Sequence, residues 1–203
     1  MTESINNLDE AGLLGYFESI KSNFLTKLIL LASIIEEKGG VQKLSLPFDA
    51  SKVITDIKGY IDNPVFFSAI EKGNEDIFLN LQEDLVSGAV IQSWSVFEQI
   101  LKMLESGNYA SSPESSSVNY QRGVYQFTSR EKKDLQLFYY IRNAVVHYNG
   151  AYYSYRSIDH RYNGTDFKSQ GSEGEKIVMS PVTVYKLIED LERYATKAWQ
   201  NAK

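Results

Sequence analysis

Four stretches of this chain repeat apolar residues at the spacing of an α-helix, and that periodicity limits what it can fold into more than any other feature. The first, "LDEAGLLGYFESIKSNFLTKLILLASIIEEKGG", keeps the pattern over residues 8–40 and closes on Gly39-Gly40, a natural C-terminal stop. Its leading acids, Asp9 and Glu10, suit the positive end of a helix dipole. The second covers residues 75–105 and places Val90, Trp94, Phe97, Leu101 and Leu104 on one face. Thr128 and Glu131 form a T-x-x-E capping box that opens the third, which the pattern carries to Gly150. Ser180-Pro181 supplies an N-cap and a first-turn proline for the last, "VTVYKLIEDLERYATKAW". Amphipathic helices of this length must bury their stripes on one another, so an up-and-down four-helix bundle is expected.

The segments between the helices are read less sharply. Residues 51–60 suit a short helix ended by Asn63-Pro64. Residues 107–127 hold a run of serines beside Pro113 and read as a long, mobile surface loop. Residues 151–178 are rich in Tyr and Gly, with Asn163-Gly164 inside, and suit an irregular β-hairpin or a long loop. The fold class expected is therefore all-α, a four-helix bundle with a Ser-rich loop and a Tyr/Gly-rich excursion before the last helix. Its 203 residues suit a single helical domain, 1–203.

Composition removes several function classes. The chain has no cysteine, which excludes disulfides, thiol catalysis and zinc-finger chemistry. A cytoplasmic location fits, and the acidic, polar "MTESINNLDE" is unlike a secretory signal. The longest apolar run, "LILLASII", is far short of the about 20 residues that cross a bilayer and reads as the buried face of a core helix. Net charge is −5, against non-specific coating of DNA, but it is unevenly spread. Residues 1–106 carry 16 acidic and 8 basic side chains, and residues 107–203 carry 10 and 13. No P-loop or dinucleotide fingerprint occurs.

The most basic part of the chain holds "YIRNAVVHYN", residues 140–149, with one of only two histidines. On a helical wheel Leu137, Phe138, Ile141, Ala144, Val145 and Tyr148 fill one core arc. Leu135, Tyr139 and Val146 form a second apolar strip nearly opposite. Arg142 flanks that strip on one side, with Asn143 and His147 on the other. Asn143 and His147 stand at i,i+4, so the amide can orient the imidazole. A second strip calls for a second neighbour, either another helix of the bundle or a partner subunit. If two copies meet on it, Arg142, Asn143 and His147 of both line one groove. On a single helix Arg142 and His147 point about 140° apart and cooperate poorly.

Such a groove suits cleavage of RNA. An imidazole with a pKa near ~6.5 can take the proton of a ribose 2′-OH and protonate the leaving oxygen. A guanidinium grips the phosphate with two donors and stabilises charge building on it. No metal or other cofactor is called for.

"LFYYIRNAVVHYNG" resembles the motif helix of the HEPN superfamily: Arg, a polar residue, three more, then His, on the third long helix of a bundle. "VIQSWSVFEQILKML" resembles the preceding family helix, where Glu98 would be the acidic supporting residue. The two stretches cover about a quarter of the chain. The resemblance implies a four-helix bundle that homodimerises with its motif helices facing each other. It also implies a metal-independent endoribonuclease of toxin, phage-defence or RNA-processing type. Arg142 would then bind the scissile phosphate, His147 would be the acid and base, and Asn143 the polar motif residue. Leu135, Tyr139 and Val146 would form the dimer interface, and an antitoxin protein is a possible further partner. The aromatic segment 151–178 departs from the family pattern.

Tyr148 and Arg156, the latter in "YYSYR", are the candidates for RNA contact, through stacking and phosphate binding. His160 lies in an expected loop and receives no role, and "REKK" at Arg130 reads as a solvated first turn. The alternative reading is a non-catalytic helical module of the same fold that binds a protein or nucleotide partner, with His147 structural.

Overall fold

The computed structural model describes residues 10–39, 75–106 and 123–202. The short helix expected at 51–60 and most of the serine-rich segment lie outside them. The described chain is mainly helical, with four α-helices: α1 (Glu10–Gly39), α2 (Glu75–Ser106), α3 (Ser129–His147) and α4 (Pro181–Ala202). A two-stranded antiparallel sheet, β1 (Asp159–Tyr162) and β2 (Thr165–Lys168), interrupts the helices before α4. No helix among the described residues is long and apolar enough to cross a membrane.

The chain divides into two compact units, and the division falls inside α1 and α2. The smaller unit is residues 24–85, whose described residues are the second part of α1 and the first part of α2. There Phe24 and Leu31 are buried, while Ile29, within the longest apolar run, is 45% exposed, so that run is not wholly a core face.

The larger unit, residues 1–23 and 86–203, contains the motif. Its core takes Phe17 and Ile20 from α1 and Val90, Trp94, Phe97 and Leu101 from α2, the face that periodicity selects. Leu137, Phe138, Ile141 and Ala144 come from α3, and Val184, Leu187, Leu191 and Tyr194 from α4. Lys21, itself buried, joins α1 to α4 through an ion pair with Glu192 at 2.7 Å.

α3 begins where the capping box places it. Thr128 Oγ1 accepts from the Glu131 amide at 3.2 Å, and Glu131 Oε2 accepts from the Thr128 amide at 2.7 Å. Such a reciprocal pair satisfies two of the orphan amides at a helix start and contributes about 1 kcal/mol. The helix ends at His147, three residues before the sequence pattern suggests. The Tyr148 and Gly150 amides both donate to the Ala144 carbonyl at 2.9 Å, and Asn149 and Gly150 adopt left-handed φ values of 51° and 71°. This double use of one carbonyl turns the chain sharply away from the helix axis.

The excursion after α3 is a two-tier hairpin. At its base Tyr152 and Glu175 pair through their backbones, and the Ile177 amide donates to the Gly150 carbonyl. At its tip β1 and β2 pair Tyr162 with Thr165 across an Asn163-Gly164 turn with φ values of 47° and 80°, as a two-residue hairpin turn of this kind requires. Strand alternation sends His160 and Tyr162 to one side of β1, toward α3, where Tyr162 meets Phe138 edge-on at 4.9 Å.

The end of the serine-rich segment is anchored, contrary to its reading as part of a mobile loop. Residues Gly123–Tyr125 form a 3-10 turn, Tyr125 and Phe127 are buried, and Asn201 of α4 donates to the Tyr125 carbonyl. Apolar aromatic side chains so close to the α3 cap bind the segment to the core.

Candidate functional site

The motif residues occupy the last turns of α3. His147 is exposed, its ring meets Tyr148 edge-on at 6.4 Å, and no hydrogen bond holds it among the described residues. Arg142 is half-buried. One of its terminal nitrogens donates to Asn143 Oδ1 at 2.8 Å, while its buried Nε has no hydrogen-bond partner among the described residues. A buried guanidinium N–H left without an acceptor is uncommon and costly, and an anion would satisfy it.

Asn143 does not orient the imidazole, as its i,i+4 spacing suggests. Its amide lies instead between Arg142 and the Tyr153 hydroxyl. Burial pushes the Tyr153 hydroxyl up to about 12, although the bond with Asn143 pulls the other way. Tyr153 belongs to a column of three parallel rings. Tyr140 stacks on it at 4.2 Å and 5°, and Tyr148 stacks on its other side at 4.2 Å and 9°. The column is pinned at its inner end, where the Tyr140 hydroxyl donates to the Tyr153 carbonyl and accepts from its amide. Its outer ring, Tyr148, is 43% exposed beside His147, although the helical wheel assigns it to the core. A fixed, half-open aromatic face of this kind can stack a nucleobase.

The second apolar strip is largely internal, which corrects its assignment to a subunit interface. Leu135 is fully buried within the chain. Tyr139 is half-buried, with its ring 5.6 Å from Trp94 of α2 and the Arg156 guanidinium 5.2 Å above it. The second neighbour that the strip calls for is thus supplied by the protein itself along most of its length. Val146 alone stays open, at 42% exposure. Arg156 reaches the motif helix through Tyr139, while Glu98 forms its polar contact with Lys102 of its own helix, at 4.0 Å.

The other end of α3 carries a denser polar cluster that sequence reasoning missed. Asp134 is buried, and its carboxyl takes the Tyr194 hydroxyl at 2.8 Å and His160 Nε2 at 2.6 Å. Asp190, also buried, takes the Tyr162 hydroxyl at 2.8 Å and an Arg193 nitrogen at 2.8 Å. Burial first, and the adjacent Asp190 and Asp134 second, push the Tyr162 and Tyr194 hydroxyls far above the ordinary tyrosine range, so both stay protonated donors. Asp134, Asp190, Tyr162, Tyr194 and Arg193 border a cavity of about 420 Å³ that Arg130 also lines. His160, given no role from sequence, is therefore the more firmly held of the two histidines.

A signal for this cluster exists in the sequence. Asp134 sits three, four and seven residues before Leu137, Phe138 and Ile141, and Asp190 occupies the same kind of core position beside Leu187, Leu191 and Tyr194. A carboxylate at a core position of an amphipathic pattern must find partners. Among the described residues, no group of three or more His, Asp or Glu side chains could hold a metal ion. Comparison with family models, with curated proteins and with solved structures finds no match for this chain.

Proposed function

We propose that this chain is a metal-independent endoribonuclease of toxin or phage-defence type, with its active site at the C-terminal end of α3. The observation that carries this reading is the buried Arg142 Nε, two turns or less from an exposed His147, neither with a hydrogen-bond partner among the described residues. A phosphate on Arg142 would satisfy that N–H and leave a second guanidinium edge bonded to Asn143. His147 would take the 2′-OH proton and return it to the 5′ leaving oxygen. Tyr148, fixed by the ring column, would hold a base beside the scissile bond, and Arg156 would add positive charge nearby.

Arg142 and His147 still project about 140° apart on one helix, so the proposal includes a homodimer in which they act across two chains. With Leu135 and Tyr139 occupied internally, the contact would form around Val146 and the exposed turn that follows it. An antitoxin protein would cover the same end.

The test is cleavage of single-stranded RNA in EDTA by wild type, Arg142→Ala and His147→Ala. Each substitution is expected to lower the rate by a factor of about 10² or more while circular dichroism stays unchanged. RNA that binds wild type and stays intact would assign the chain to the alternative, a non-catalytic helical module for a protein or nucleotide partner.

A further inference from the structure

At the N-terminal end of α3, beside the hairpin tip, lies a cavity of about 580 Å³ whose charged lining is wholly cationic. Arg130 and Lys133 enter it from one face of α3 and His160 from β1, Arg161 borders it from the next position of that strand, and the Asn163-Gly164 turn closes one side. Among the described residues no carboxylate lines it. Neither Arg130 nor Lys133 has a hydrogen-bond or ion-pair partner among the described residues. Arg161 has only a loose pairing with Asp166, at 3.7 Å and with both side chains more than 70% exposed, which water screens heavily. The His160 ring is different: its Nε2 is fixed by the buried Asp134, so the imidazole is presented in one orientation.

Cations gathered in one concave place repel each other unless an anion joins them, and low-dielectric walls focus their field on whatever enters. Guanidinium groups and an ammonium together match the tetrahedral oxygens of a phosphate better than a single carboxylate. We propose that this cavity binds a phosphate group, carried either by a nucleotide or by an RNA strand. The site is independent of the ribonuclease reading. Arg130 and His147 stand at opposite ends of α3, roughly 25 Å apart along its axis. For a nucleotide, the neighbouring cavity with Tyr162, Tyr194 and the two buried aspartates offers room for the nucleoside part, since Arg130 and Asn163 line both.

The test is an NMR titration of the ¹⁵N-labelled full chain with inorganic phosphate, then a nucleoside 5′-monophosphate, then uncleavable 2′-O-methyl RNA oligomers of increasing length. The expected result is a saturable shift of the Ser129, Arg130 and Gly164 amides with phosphate alone. The double variant Arg130→Gln, Lys133→Gln should bind at least about tenfold more weakly, since charge-assisted contacts are the strong ones. Both side chains are exposed, so the variant should keep its circular dichroism spectrum. His147→Gln should titrate with phosphate like wild type. A mononucleotide that outbinds phosphate and matches the long oligomer identifies a nucleotide site, and affinity that climbs with oligomer length identifies an RNA strand. If none of the three probes shifts these amides saturably, or the double variant binds as wild type does, the proposal is overturned.

Discussion

The two ends of α3 present the chain's two histidines in opposite states. At the C-terminal end His147 is exposed and, among the described residues, has no hydrogen-bond partner, nor has the buried Nε–H of the arginine beside it. At the N-terminal end His160 is held at 2.6 Å by an aspartate that is itself buried and bonded to Tyr194. The buried cluster of Asp134, Asp190, His160, Tyr162 and Tyr194 satisfies itself, so its first effect is on stability, while Arg130 and Lys133 at the rim of that end stay unpaired among the described residues. At the C-terminal end the groups left without a partner among the described residues belong to the motif itself, Arg142 Nε and His147, and such groups are where a ligand has most to offer.

The difference can be broken by substitution, and the largest effect on folding is expected at Leu135. Leu135→Ala should cost about 2–5 kcal/mol, as for other fully buried leucines. Val146→Ala, on the same strip but exposed, should stay within about 0.5 kcal/mol. Denaturation at several protein concentrations checks both. A Leu135→Ala loss that depends on concentration would return that residue to a subunit interface.

Next in size is the polar cluster. Asp134→Asn weakens the bonds to Tyr194 and His160 together and should cost about 1–3 kcal/mol, with His160→Gln in the lower half of that range. His147→Gln should leave the denaturation midpoint in place. Equal losses from the two histidine variants would erase the contrast between the ends.

The smallest effect belongs to the cap and depends on pH. Burial pushes the Glu131 carboxyl up, but hydrogen bonds from Lys197 and Thr128 outweigh it and hold the group below the ordinary carboxylate range. A lowered folded pKa means that its stabilisation is complete above the unfolded value of about 4.3 and is lost as pH falls through the folded one. Glu131→Gln should therefore be less stable than wild type by about 1 kcal/mol at neutral pH, and the gap should close in acid. A gap that persists unchanged at low pH would assign the loss to packing.

Sequence reached the parts of this molecule that local chemistry decides. The Thr128–Glu131 cap, the Asn163-Gly164 turn and the buried face of α2 each depend on residues a few positions apart. The helix that carries Arg142 and His147 was legible for the same reason. Pairings across 26, 28 and 60 residues, as in Asp134 with His160, Tyr162 with Asp190 and Asp134 with Tyr194, were not. They require the register of the hairpin and the side of α3 on which it lands, and neither follows from periodicity. The same gap explains Leu135: a helical wheel reveals a second apolar strip but not that Trp94 and Arg156 close over its Tyr139 neighbour.

The most direct measurement is RNA cleavage in EDTA by His147→Gln and His160→Gln side by side with wild type, each below its melting temperature. Loss of cutting in His147→Gln by a factor of about 10² or more, with an unchanged denaturation midpoint, is the predicted result. His160→Gln should keep cutting while it loses stability. Intact RNA with the wild type, or undiminished cutting by His147→Gln, would contradict the placement of the active site at the C-terminal end of α3.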